Sequence, residues 1–139
     1  MPSRQPISPQ EALIYTMVAA SAVDRTISDR ELRKIGEFVR LLPVFADFDP
    51  ERLVSVTQDC ARLLQGPQSL QTILEVIAEA VPDRLRDTAY ALAVEVASAD
   101  IGIVREEARF LVLLRRRLGL DDLTAAAIDR AALARHRRA

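Results

Sequence analysis

Residues 12–45 and 88–121 overlay on each other at an offset of 76 positions. Asp24 falls on Asp100, Ile27 on Ile103, Glu31 on Glu107, Arg33 on Arg109, Arg40 on Arg116 and Leu42 on Leu118. Each copy reads as a small-residue apolar helix, a short turn opening with Asp, an Ile inside the turn, and a second apolar helix with Glu in its first turn. The shared element is Asp-x-x-Ile-x-x-x-Glu between two helices. Two such hairpins in one small chain imply an all-α, pseudo-twofold helical bundle with two related acidic turns.

The length of 139 residues suits one domain. Half of the residues are apolar, enough for a core without disulfides or an obligatory structural metal. Trp is absent and aromatics are few, so that core is built from Leu, Ile, Val and Ala. A net charge of −1 gives no bulk drive toward nucleic acid. The single cysteine, Cys60, excludes an intramolecular disulfide framework and suits a reducing compartment. No basic-led apolar stretch with a small-residue cleavage site opens the chain, so no signal peptide is expected. The longest near-apolar run, Ala12 to Val23, is too short to span a bilayer. The expectation is a cytoplasmic protein with no direct membrane insertion.

Helix punctuation along the chain predicts about seven helices. Residues 1–8 are read as a flexible N-terminus, 9–134 as the helical domain and 135–139 as a basic C-terminal tail. Ser8-Pro9-Gln10-Glu11 is a helix start, with Ser8 as cap, Pro9 in the first helical position and Glu11 returning a bond to the cap. That first helix runs to about Val23. Ser28-Asp29-Arg30-Glu31 repeats the Ser-x-x-Glu start, and Leu32, Ile35, Phe38 or Val39, and Leu42 follow at helical spacing up to Pro43. The apolar link Val44–Phe48 is expected to pack rather than float. Asp49-Pro50 opens a third helix with Leu53, Val56 and Cys60 inward, stopped by Gly66-Pro67. Further helices are expected over Gln68–Ala80, Asp83–Ala99 and Arg105–Leu118. Gly119-Leu120 then forms a Schellman ending, and Asp121 or Asp122 caps the last helix. No stretch alternates with period two, so no sheet is expected. The small-residue helices around Val18–Ala22 and Ala89–Ala99 are expected to pack closely on each other near the pseudo-dyad.

The first turn sets oxygen donors at Asp24, Thr26, Ser28 and Glu31, a spacing of one, three, five and eight. Hard cations such as calcium or magnesium take clustered oxygens of this kind, although an EF-hand loop is longer and ends in a bidentate Glu at its twelfth place. The competing reading is local. Ser28 and Glu31 form a capping box, and Asp24 accepts backbone N–H groups of the turn. Such caps are worth about 1 kcal/mol each and need no ligand. In the second copy Gly102 and Val104 replace the hydroxyls, leaving Asp100, Glu106 and Glu107, and Val104 cannot cap. Ile27 and Ile103, apolar residues in polar turns, are expected to be buried.

The chain resembles the TerB-like tellurite-resistance domain on two segments. One is Ala12–Phe45, containing Asp24-Arg25-Thr26-Ile27-Ser28-Asp29-Arg30-Glu31. The other is Ala89–Leu120, containing Ala99-Asp100-Ile101-Gly102-Ile103 and Glu106-Glu107. Leu118-Gly119-Leu120 also fits, and the fold of that family is similar to the N-terminal region of the DjlA co-chaperones. The resemblance covers about residues 9–130. It implies a seven-helix bundle, an acidic surface, divalent-metal binding, and protein partners in a stress-response complex at the inner membrane. It implies no enzyme. Arg25 and Ile101 stand where the family carries Gly, and no His-Pro-Asp tripeptide is present, so the J-domain co-chaperone function does not carry over.

Other candidates for chemistry are thin. His136 has no carboxylate or Cys beside it in sequence and reads as part of a solvated tail. Cys60 reads as a core thiol rather than a nucleophile. There is no Gly-rich phosphate loop, nucleophile elbow or His pair at metal spacing. The sequence-level reading is a stress-linked interaction module with metal ligands Asp24, Thr26, Ser28, Glu31, Asp100 and Glu107. The reading from another class is a structural scaffold or homodimerisation domain whose acidic turns only close helices. A hydrolase with paired carboxylates ranks third.

Overall fold

The computed structural model describes residues 6–22, 27–98 and 105–139, with the backbone alone at Arg105 and Glu106. Among these residues there are seven α-helices and no strand. They are α1 (Pro9–Ala22), α2 (Asp29–Leu41), α3 (Leu53–Leu63), α4 (Ser69–Ala80), α5 (Arg86–Ala97), α6 (Arg105–Leu118) and α7 (Asp122–Arg135). Short 3-10 turns at Pro43–Phe45, Pro50–Arg52 and Asp83–Leu85 follow or introduce helices at the prolines. Asp49-Pro50 and Pro82-Asp83 therefore open tight turns that relax into α3 and α5, rather than opening the α-helices directly.

The boundaries follow from local bonding. At the start of α1 the Ser8 N–H donates to Glu11 Oε1 (2.8 Å) and the Glu11 N–H to Ser8 Oγ (3.1 Å), a complete capping box. α6 ends where Gly119 takes φ +69°, a conformation that costs a glycine little. The Gly119 N–H then reaches the Arg116 carbonyl and the Leu120 N–H the Arg115 carbonyl, each at 3.1 Å, which is the Schellman pattern. Asp121 caps α7, accepting the Thr124 N–H (3.2 Å) and hydroxyl (2.6 Å).

α1 is the centre of the bundle. Every residue from Ala12 to Ser21 is buried, so the helix has no solvent face. Its buried hydroxyls are satisfied within the helix, Thr16 Oγ1 donating to the Ala12 carbonyl (2.7 Å) and Ser21 Oγ to the Met17 carbonyl (2.9 Å). The most extensive helix contact is α1 against α5, where Ala12, Ala19 and Ala20 lie on one helix and Ala89, Ala93 and Ala97 on the other. Small side chains permit that close approach. α2 and α6 each pack on both α1 and α5, α3 and α4 pack on α1, and α7 packs on α5. The link after α2 packs as expected. Phe45 and Phe48 are buried edge to face with centroids 6.1 Å apart, and the Arg52 guanidinium lies 5.4 Å from the Phe48 ring centre.

Matched positions also tie the ends of the helices together. Gln10 Nε2, in the first turn of α1, donates to the Val44 carbonyl (3.1 Å) and to Asp47 Oδ1 (2.6 Å), fastening α1 to the link after α2. Arg86, at the same offset of 76, donates to the Leu118 carbonyl at the end of α6 (2.9 Å) and to the Ala78 carbonyl in α4 (3.3 Å).

On α2 the buried stripe differs from the run of apolar residues at helical spacing. Leu32 is 42% exposed, and the buried stripe is Glu31, Ile35 and Val39, stepping by four along the helix. A carboxylate therefore takes the core-facing place that the apolar pattern gives to Leu32. Ile27 is half-buried against the core, while Val23, Ala99 and Ile103 lie outside the described residues. No described helix is long and apolar enough to cross a membrane.

Candidate functional site

The N-terminus of α2 is built from Ser28 and Glu31. Ser28 is extended (φ −77°, ψ 161°), which turns its hydroxyl toward the helix start. The Glu31 N–H donates to Ser28 Oγ (3.1 Å) and the Ser28 N–H donates to Glu31 Oε1 (3.0 Å). The helix dipole favours a carboxylate in this first turn. Both expected partners of the box are thus brought together. What capping does not demand is depth: Glu31 is 0% exposed.

In the second copy Glu107 occupies the matched place in the first turn of α6 and is 1% exposed. Position 104 is Val there, so no Ser-x-x-Glu box can form and the glutamate is buried without one. Ser28, Glu31 and Glu107 are the site residues that the structure describes. Asp24, Thr26 and Asp100 lie outside the described residues. Among the described residues, no group of three or more His, Cys, Asp or Glu side chains converges as a metal would require.

Two polar clusters escaped the reading of the sequence. Glu95, set in the apolar run of α5, pairs with Arg135 and lies 3.0 Å from His136 Nε2, so the end of α7 is clasped to α5. His136 lacks a carboxylate nearby in sequence but has one in space. The signal was Glu95 itself, the one acid in the otherwise apolar stretch 89–97. Burial, with the charges of Lys34 and Arg135, holds the His136 imidazole below its usual value. The second cluster joins the same two helices: the Tyr90 hydroxyl donates to Asp129 Oδ1 at 2.7 Å.

Cys60 is fully buried and its thiol donates to the Tyr15 carbonyl at 3.7 Å. Burial pushes that thiol up to about 12, so it stays protonated and inert near neutrality. Tyr15 is likewise pushed up to about 12, by burial first and then by the neighbouring Cys60 and acids. Neither group offers a nucleophile or general base at neutral pH. In comparisons with known proteins, no family model, curated protein or solved structure matches the chain.

Proposed function

We propose that this chain is a TerB-like interaction module without catalytic activity, in which the two acidic turns hold divalent cations and Glu31 and Glu107 are their inner carboxylates. The observation that carries the reading is the burial of both glutamates at matched positions, one within a capping box and one without. A cation beside a buried carboxylate would add opposite charge where water cannot reach, which is how these positions would serve as inner ligands. The packing of α2 and α6 on the same central pair supports a pseudo-twofold arrangement of the hairpins.

On this reading Asp24, Thr26 and Ser28 join Glu31 in one turn, and Asp100 joins Glu107 in the other. The hard oxygen set favours calcium or magnesium. The module works in the cytoplasm as part of a membrane-associated stress complex, through protein partners rather than nucleic acid or direct membrane insertion. A scaffold or homodimerisation domain is the second reading. The complete Ser28–Glu31 box favours it, because that box closes the helix with no ligand.

Melting curves of wild type and Asp24→Ala, each with chelator and with millimolar calcium or magnesium, separate the two. A cation that binds only the folded state stabilises it by about 2.7 kcal/mol at a hundred times its dissociation constant. The expected result is a cation-dependent rise in wild type that Asp24→Ala reduces, leaving only the share of the second turn. Four curves that ignore the cation would reduce the acidic turns to caps and leave the scaffold reading standing.

A further inference from the structure

A second surface, separate from the acidic turns, carries positive charge with no described carboxylate set among it. α4 and α6 border a cleft of about 400 Å³ with a floor of Leu70, Leu74 and Leu113. Its α6 side bears Arg109, Arg116 and Arg117, and α4 adds the Gln71 amide. No described carboxylate lines the cleft. No ion pair ties any of the three arginines to a described residue, whereas the neighbouring Arg115 is paired with Asp122 at 2.6 Å. The three are exposed, in a chain whose net charge is −1, so the positive charge is local and not a property of the whole surface.

The first copy lacks this combination of arginines over a leucine floor. Arg33 and Arg40 are the matched residues on α2, and between them stands Glu37 where α6 has Leu113. The second copy has exchanged an acid for a leucine, and Leu41 for Arg117. These differences together add positive charge and an apolar floor to one face.

Spacing narrows the occupant. Arg109 and Arg116 are two turns apart on α6, about 10 Å along the axis, with Leu113 between them. A single phosphate or carboxylate meets one end of such a cleft and leaves the leucine floor uncovered. A helical segment with acids two turns apart and a leucine midway meets both ends and the floor together. Bidentate arginine–carboxylate pairing fixes its register. The cleft has room for a few side chains and not for a whole helix, so the segment lies across its mouth.

We infer that the α4–α6 face, through Arg109, Arg116, Arg117 and Leu113, docks an acidic amphipathic helix of a protein partner. The inference goes beyond the cation reading and does not depend on it, since none of these residues belongs to the acidic turns.

The probe is a fluorescein-labelled helical peptide of about 15 residues with glutamates two turns apart and a leucine midway. Its controls are a peptide of the same composition with the glutamates adjacent, and vesicles containing phosphatidylglycerol. Fluorescence anisotropy on the full chain is expected to show saturable binding to the spaced peptide. Arg109→Glu/Arg116→Glu should weaken it about tenfold or more, and Gln71→Glu, which sets an acid in the cleft, should weaken it several-fold. All three positions are exposed, and an unchanged melting temperature confirms that each variant is folded. Equal binding of the adjacent-glutamate peptide, or retention of affinity in the double variant, overturns the inference. So does binding to the vesicles but to neither peptide, which would make the face an anionic-lipid surface.

Discussion

The chain starts α1 and α2 with the same device, Ser-x-x-Glu, and both copies close into the same reciprocal pair of hydrogen bonds. Their surroundings differ. Glu11 keeps 21% of its side chain in solvent and gives its second oxygen to Arg52 at 2.9 Å. Glu31 has no solvent contact and shares its helix face with Ile35 and Val39. Both boxes satisfy the same backbone groups, so capping explains neither the depth of Glu31 nor its difference from Glu11. Glu107 makes the same point from the other side, being buried where Val104 leaves no capping serine. Burial follows the repeat and not the cap. A carboxylate used only as a cap is better left at the rim, where water offsets the cost of its charge.

The largest expected effect comes from deleting the buried pair. Glu31→Ala and Glu107→Ala each remove a buried polar group and leave its partners and a void behind. Each should cost about 2–4 kcal/mol, read from urea denaturation in the presence of chelator. Glu31→Gln sharpens the result because it keeps the shape and an acceptor oxygen. It should cost less than Glu31→Ala yet reduce the response to calcium or magnesium. If Glu31→Ala costs no more than Glu11→Ala, depth carries no energy and the contrast between the two boxes collapses.

A middle tier tests what the two boxes share. Ser8→Ala and Ser28→Ala each lose one cap bond and should cost about 1 kcal/mol. Their near equality is the expected sign that capping is worth the same in both places. A loss at Ser28 several times that at Ser8 would show that the serine hydroxyl also serves the buried carboxylate. Arg52→Ala, which removes an exposed ion pair, should cost well under 1 kcal/mol.

Much of this architecture was legible because it is written locally. Ser8, Ser28, Asp121 and Gly119 mark helix ends through bonds to residues within five positions, and each stands where the punctuation puts it. The inward side of α2 was not legible. A helical stripe counted from apolar residues selects Leu32, and only packing on the central helices reveals that Glu31 takes that place. Contacts across the chain were equally hidden. His136 and Glu95 are 41 positions apart, and Gln10 and Arg86 reach carbonyls far along the chain, so reading the chain locally passes them by. Of the candidate site, the buried members Glu31 and Glu107 were found by their matched spacing. Their depth required the fold.

The smallest expected effect is the pH dependence of the exposed box. Burial alone would raise the Glu11 carboxyl. The Ser8 backbone and side-chain hydrogen bonds, together with the Arg52 charge, outweigh burial and hold it below its usual 4.5. The unfolded chain therefore binds more protons than the folded one as pH falls from above 4.5 toward the lower folded value. The stability that Glu11 contributes is fully present above 4.5 and is lost as pH falls through the folded value. Glu11→Gln keeps the acceptor oxygen but cannot ionise. Its deficit relative to wild type should be greatest near neutrality and should shrink steadily on acidification, in urea midpoints taken from about pH 6 to about pH 3. Because the group is partly solvated, the change should be a fraction of 1 kcal/mol. A deficit that stays constant over that range would mean that the Ser8 box gains nothing from the charge of its glutamate. The two boxes would then differ only in depth.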